Sequence, residues 1–292
     1  MQFPTLLRYP GGKSRAVSVL NTYPVGDKVA SPFFGGGSFE LALLRSGKQV
    51  YAADVFMCLA NFWQCVSSRG EDVARLCRPL LGNVSKDDFR LLQECLVVAE
   101  EHSSVEEAPQ NETVRSALHT FFSEATPSSL AACFFVVNRC SFSGATLSGG
   151  FSSSSSTQRF TASSVERIAD WGVPSDFFIK RADFEDFLPG VMSPDFTWFL
   201  DPPYLLEKES LYGVRGGYHA GFDHEALADL VRRFAEVDGK FVLTYNDCDA
   251  VRNLYSDFEF RVPKWAYGMN SSKKSNEVII SNIHPKKTDI CC

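Results

Sequence analysis

The sequence predicts an α/β chain in which a mostly parallel sheet of seven strands is covered by helices. Three observations carry this. Short runs rich in Val, Ile and Phe recur toward both ends, amphipathic segments alternate with them, and glycines or acids follow several of the runs. The strand runs are Lys28 to Phe34, Gln49 to Ala53, Asp176 to Ala182, Phe196 to Leu200, Lys240 to Tyr245, Phe258 to Val262 and Glu277 to Ser281. Between them, Ser38 to Ser46, Asp54 to Ser67 and Asp223 to Val237 repeat apolar residues at three- and four-residue spacing, the period of a helix with one buried face. A further helix after Ala162 opens with Ser163 and has Glu166 three residues on, which reads as a capping box.

Residues 68–162 differ in character. Acidic helical segments come first, then a polar stretch near Ala108 to Thr113, then the Gly/Ser-rich run Ser141 to Thr157 with five consecutive serines at 152–156. Composition alone reads that run as a flexible linker.

The bulk numbers set limits. With 292 residues, 45% hydrophobic and 22% charged, the chain can build one sizeable core and a smaller appended unit. No apolar run approaches the roughly 20 residues of a bilayer-spanning helix, and the start Met1-Gln2-Phe3-Pro4 lacks a secretory layout, so the protein is expected to stay where it is made. Nine cysteines without a CxxC pair point to reduced thiols and give no zinc signature, so no metal is expected. Cys291-Cys292 reads as an unstructured end. A net charge of -6 argues against indiscriminate binding to nucleic acid, yet the charge is uneven. Glu71 to Glu107 is acidic, whereas Leu130 to Ser164 carries Arg139 and Arg159 and no acid, and the tail from Arg261 has Lys264, Lys273, Lys274, Lys286 and Lys287 against Glu277 and Asp289.

The most specific motif is Asp201-Pro202-Pro203-Tyr204, directly after the run ending in Leu200. An acid there faces the cleft at the carboxyl end of a parallel strand. An exocyclic amino nitrogen is a poor nucleophile because its lone pair is delocalised. The Asp201 carboxylate and the Pro202 carbonyl can each accept one of its hydrogens, Pro203 helps fix the backbone, and Tyr204 offers a face for a flipped base. The alternative is a plain strand-terminating turn. A second motif, Phe33-Phe34-Gly35-Gly36-Gly37-Ser38, ends a strand and opens a helix; Gly35 and Gly37 let the backbone approach a phosphate or the methionine part of a cofactor. Asp54, at the tip of the next strand, suits ribose hydroxyls or is a solvated surface acid. Asp183 ends a third run, and Phe184 after it flanks a purine ring or fills the core. Tyr9-Pro10-Gly11-Gly12-Lys13 places an aromatic ring and an ammonium around a glycine pair.

Together these residues resemble the Dam-like adenine-N6 DNA methyltransferases nearly end to end. The resemblance implies a Rossmann-like, S-adenosylmethionine-dependent fold divided into 1–67 and 163–292 for catalysis and 68–162 for target recognition. It implies cofactor contacts by Tyr9, Lys13, Phe33, Gly35, Gly37, Asp54, Asp183, Phe184 and Asp201, with catalysis at Asp201 to Tyr204. Asn138-Arg139-Cys140-Ser141-Phe142-Ser143-Gly144 resembles the segment that leads into the family's DNA-contacting hairpin, which replaces the linker reading and makes Asn138, Arg139, Ser141 and Arg159 candidate DNA contacts. Leu243 to Asp247 resembles the family's next strand end, and Asn270 to Glu277 its polar loop before the last strand, where Lys273 and Lys274 are candidate phosphate contacts. Two departures stand out: Ser31 lies where the family's namesake has an acid before Pro-Phe, and Tyr-Pro replaces Trp-Ala in the N-terminal motif. The implied reaction is methyl transfer from S-adenosylmethionine to adenine N6 in double-stranded DNA by a monomer or weak dimer that is not secreted and is cytoplasmic, or nucleoid or nuclear where the DNA is. A cognate restriction endonuclease is a candidate partner. The rival readings are the same scaffold acting on cytosine N4, RNA adenine or protein glutamine, and a non-catalytic DNA-binding relative.

Overall fold

The computed structural model describes residues 6–172, 176–205, 221–263 and 277–286. Its centre is the expected seven-stranded sheet, in the order β3-β2-β1-β4-β5-β7-β6. The strands are β1 (Lys28–Ser31), β2 (Gln49–Asp54), β3 (Phe177–Arg181), β4 (Phe196–Leu200), β5 (Lys240–Asn246), β6 (Glu259–Arg261) and β7 (Glu277–Ser281). Pairings among β1 to β5 are parallel, and β7 runs antiparallel between β5 and β6. The chain steps outward from β1 through β2 to β3, then returns to β4 on the other side of β1. The carboxyl ends of β1 and β4 therefore border the crevice where such sheets bind ligands.

Each strand feeds two layers because neighbouring side chains point to opposite faces. Val29, Val50, Phe199 and Val242 join one apolar cluster; Ala30, Ala53, Trp198, Leu200 and Leu243 join the other. The second layer holds α9 (Phe184–Phe187), α10 (His224–Glu236) and α11 (Asp249–Leu254). The Trp198 ring stacks on Phe234 of α10 at 3.8 Å, fixing that helix behind the strand that carries Asp201.

The first layer holds α1 (Val17–Leu20), α2 (Ser38–Arg45), α3 (Met57–Cys77), α4 (Lys86–Glu100), α5 (Glu112–Phe122), α6 (Pro127–Cys140), α7 (Ser153–Gln158) and α8 (Ala162–Ala169). Residues 68–162 share this core with the sheet: Leu92, Leu118 and Phe134 belong to the same cluster as Val29 and Val50. Helix α6 is buried all round from Ser128 to Cys140, which its apolar run Leu130 to Val137 permits. The non-helical backbone of Arg69 kinks α3 just past Ser67, so the helix continues ten residues beyond its expected end.

Several boundaries shift for local reasons. Strand β1 stops at Ser31 because Pro32 has no N–H for the ladder. Helix α3 starts at Met57 because Asp54 belongs to β2, and Glu100 caps its first turn by accepting from the N–H groups of Met57 and Cys58 at 3.0 and 2.5 Å. The cap of α8 corrects the expected one: Thr161 is the N-cap and Ser164 its box partner, while Glu166 reaches out to Arg78 instead. The serine run forms α7, capped by Ser152, and is not a linker. No single helix among the described residues is long and apolar enough to cross a membrane.

Candidate active site

A cavity of about 260 Å³ opens at the carboxyl ends of β3, β2, β1 and β4. It brings together Tyr9, Lys13, Phe33, Gly35, Gly37, Asp54, Asp183, Phe184, Asp201, Pro202, Pro203 and Tyr204. Residues separated by almost 200 positions thus share one wall.

The glycine turn is shaped by necessity. Gly35 and Gly37 have φ of +51° and +62°, and a Cβ at those positions would lie 2.8 Å from the Tyr9 ring and 2.4 Å from the Phe34 ring. Asp54 closes the turn from β2, accepting from Gly35 N at 2.9 Å and Phe56 N at 3.0 Å. Burial pushes its carboxyl up to about 6 against the lowering effect of those two amides. Asp183 caps α9, and Phe184 packs at 5.8 Å from Phe33 and 5.0 Å from Phe222. Phe222 lines the same cavity and had no signal in the sequence, because it lies in no recognisable motif.

At the other end Asp201 is held by cross-strand chemistry. Its Oδ1 accepts from Thr244 of β5 at 2.7 Å and pairs with Lys13 Nζ at 2.7 Å. Lys13 also donates to Tyr204 Oη at 3.0 Å and to the carbonyl of Gly11 at 3.2 Å, and lies 3.6 Å from Glu277 Oε1. Tyr204 Oη donates to the same Glu277 oxygen. Lys13, expected as a cofactor contact, thus sits on the Asp-Pro-Pro-Tyr motif. Glu277 was visible as the end of the polar loop before the last strand and as the first residue of that strand, with no role of its own; the antiparallel insertion of β7 beside β5 brings it here.

Ser31, where an acid was missing, donates to Glu40 at 2.7 Å. Glu40 lies on the first turn of α2 and lines the cavity. The carboxylate absent from the strand end is thus supplied one turn into the next helix.

The candidate DNA contacts divide. Asn138 and Ser141 are fully buried, which corrects the expectation that their side chains face DNA. The Asn138 amide accepts from Arg8 N at 3.1 Å and donates to Arg8 O at 2.8 Å, clamping the segment that leads to Tyr9 and Lys13. Ser141 Oγ donates to Asn138 O. Arg139 is 7% exposed and donates to the carbonyl of Arg159. Burial, then the charges of Arg167, Arg8 and Arg159, push its guanidinium down to about 10. Among the described residues none of these four arginines pairs with a carboxylate. Arg159 is exposed, and Lys273 and Lys274 lie outside the described residues.

The loop after α6 closes through a single antiparallel bridge between Ser141 and Phe151. At its closed base Phe142 is 70% accessible, while Gly144 to Ser148 line the cavity. Gly144 (φ +76°) packs so closely that a Cβ there would lie 2.3 Å from the carbonyl of Arg8.

No curated protein matches the chain. The profile described as D12 class N6 adenine-specific DNA methyltransferase, however, matches residues 9–269, from Tyr9 at the cavity wall past β6. That span covers the glycine turn, the segment after Asn138 and the Asp-Pro-Pro-Tyr motif. The chain therefore belongs to the D12 class N6 adenine-specific DNA methyltransferases.

Proposed function

We propose that the methyl transferred to adenine N6 comes from S-adenosylmethionine bound in the cavity between β3 and β4, and that Asp201 and Pro202 hold the amine. The single observation that carries this is the sharing of one cavity by the glycine turn, Asp54 and Asp201. The fit is chemical. The donor carries an adenine, a ribose and a cationic amino-acid arm, and the wall offers, strand by strand, Phe184 after β3, Asp54 at β2, the glycine turn after β1 and Asp201 after β4.

S-adenosylmethionine supplies an electrophilic methyl on a sulfonium. The residues do the rest. Oδ1 of Asp201 is engaged by Thr244 and Lys13, so Oδ2, which has no bond among the described residues, accepts one amino hydrogen of a flipped adenine. The Pro202 carbonyl accepts the second. Holding both hydrogens favours the pyramidal nitrogen whose lone pair attacks the methyl carbon, forming the N–C bond as the S–C bond breaks and leaving neutral S-adenosylhomocysteine. After attack the nitrogen carries one proton more than the product, and the Asp201 carboxylate takes it. Tyr204, its hydroxyl tied to Glu277, stacks against the base. In this reading residues 68–162 meet the DNA: the arginines around Arg139 bind phosphates, and the exposed Phe142, two residues before the cavity-lining Gly144, adds an apolar contact.

The test is transfer of tritiated methyl from S-adenosylmethionine to DNA, RNA and protein, followed by digestion to nucleosides. N6-methyladenine in DNA is the expected product. Label confined to 4-methylcytosine, RNA or protein would overturn the reading, as would donor binding with no turnover on any adenine-containing duplex.

A further inference from the structure

Two carboxylates in the cavity wall go unused by the reaction above, Asp183, which caps α9, and Glu40. Glu40 is 3% exposed, lines the cavity and accepts from Ser31 Oγ at 2.7 Å. Ser31 ends β1, so Glu40 occupies the station between Asp54 on β2 and Asp201 after β4. A donor whose ribose lies at Asp54 and whose methyl faces Asp201 has its amino-acid arm at this station. That arm ends in an α-ammonium, and a buried cation needs a buried anion.

We propose that Glu40 is the anion that receives the α-ammonium of the methyl donor, replacing the acid that Ser31 displaces from the strand end. The assignment rests on S-adenosylmethionine being the donor. It makes donor binding proton-linked. Burial pushes the Glu40 carboxyl up to about 7, against the hydrogen bond from Ser31 and the amides of Glu40 and Phe39, with the charge of Asp201 raising it further. The other charged groups on the same wall are Asp201 and Lys13, which pair with each other, Asp54 at the far side of the glycine turn and Asp183 at the N-cap of α9. Helix α1, which packs on α2, contributes no titratable group, and Arg45 lies at the other end of α2. An arriving ammonium favours the ionised form, so binding releases a proton. Affinity should therefore fall as pH drops through 7, changing roughly fourfold between pH 8 and pH 6.5 if Glu40 alone titrates near 7.

The experiment is equilibrium calorimetry on the full chain with three ligands: S-adenosylmethionine, S-adenosylhomocysteine and 5′-methylthioadenosine, which lacks the amino-acid arm. Glu40→Gln should weaken the first two equally, by about 10- to 100-fold, leave the third within twofold, and flatten the pH dependence. Loss confined to S-adenosylmethionine would assign Glu40 to the sulfonium and overturn the proposal. So would equal loss for all three ligands, which would mean that the glycine turn had been disturbed, or no loss at all. Ser31→Ala, which removes a bond that lowers the Glu40 carboxyl, should move the midpoint of the pH dependence upward; an unmoved midpoint overturns the proposal even if Glu40→Gln fails to fold. Wild-type protein that binds neither S-adenosyl ligand would instead remove the cofactor reading on which the proposal stands.

Discussion

Two charged regions of this protein are built on opposite plans. Around Asp201 each charge has a partner: Lys13 lies between Asp201 and Glu277, Tyr204 bonds Glu277, and Thr244 donates to Asp201 Oδ1, leaving Oδ2 for the substrate on the proposed reading. Around Arg139, four guanidinium groups gather with no carboxylate partner among the described residues. Matched charge in a buried site fixes geometry, which a reaction needs. Unmatched like charge is a cost to the free protein that a bound polyanion would relieve. On the proposed reading, the contrast reconciles a net charge of -6 with a DNA substrate, because the positive field is local.

The contrast is broken most severely at Asp201. Asp201→Ala should lower methyl transfer by about 10³-fold or more, because the developing charge on the nitrogen loses its acceptor. Donor binding, measured by calorimetry, should change by no more than a few-fold. Full methylation of an adenine-containing duplex by this variant would remove Asp201 from the chemistry altogether.

How much of this was legible depends on whether the signal was local. Asp201, Asp54 and the glycine turn each sit at the end of a strand run, so a few neighbouring residues announce them, and the cavity contains them all. Strand positions were recovered to within a few residues because apolar runs are bounded by residues such as the glycines at 35–37 and Pro202. The roles of Lys13, Glu40 and Glu277 were not legible, because each is fixed by a partner distant in the chain or by a helix turn. Nothing near Glu277 in sequence says that β7 inserts antiparallel beside β5, where its carboxylate meets a tyrosine 73 residues earlier. The segment after Asn138 failed differently. Its motif marked an important place, but the polar side chains of Asn138 and Ser141 turn inward to hold Arg8 and the chain itself, leaving Arg159 and Phe142 at the surface. A polar residue in a motif can serve by bonding the backbone of its own chain.

A smaller effect is expected at the unmatched region, where Arg159 is the exposed member. Arg159→Ala leaves its backbone carbonyl available to Arg139, so folding should be unaffected. Equilibrium binding to duplex should weaken by roughly tenfold at moderate salt, and the slope of log affinity against log salt should fall by about 0.9 if the side chain neutralises one phosphate. The loss should be the same on unrelated sequences. A change confined to one sequence would mean that Arg159 reads a base, and an unchanged salt slope would take it off the backbone.

The least disruptive test lies inside the matched region, at Thr244. Its hydroxyl is one of two donors on Asp201 Oδ1, and the side chain is fully buried on β5. Thr244→Val keeps the volume and the β-branch but removes the donor. Lys13 still holds the oxygen, so the carboxylate keeps its charged partner and loses only part of its orientation. The net worth of such a bond, about 1 kcal/mol, corresponds to roughly a fivefold fall in kcat, with KM for DNA and donor affinity nearly unchanged. Because the acceptor left behind is still bonded, the cost of a buried unpaired group is not added. A fall as large as that of Asp201→Ala would make Thr244, and not the ammonium, the group that orients Asp201; no fall would mean that Lys13 alone suffices and that the matching of charge, without the second hydrogen bond, fixes this corner.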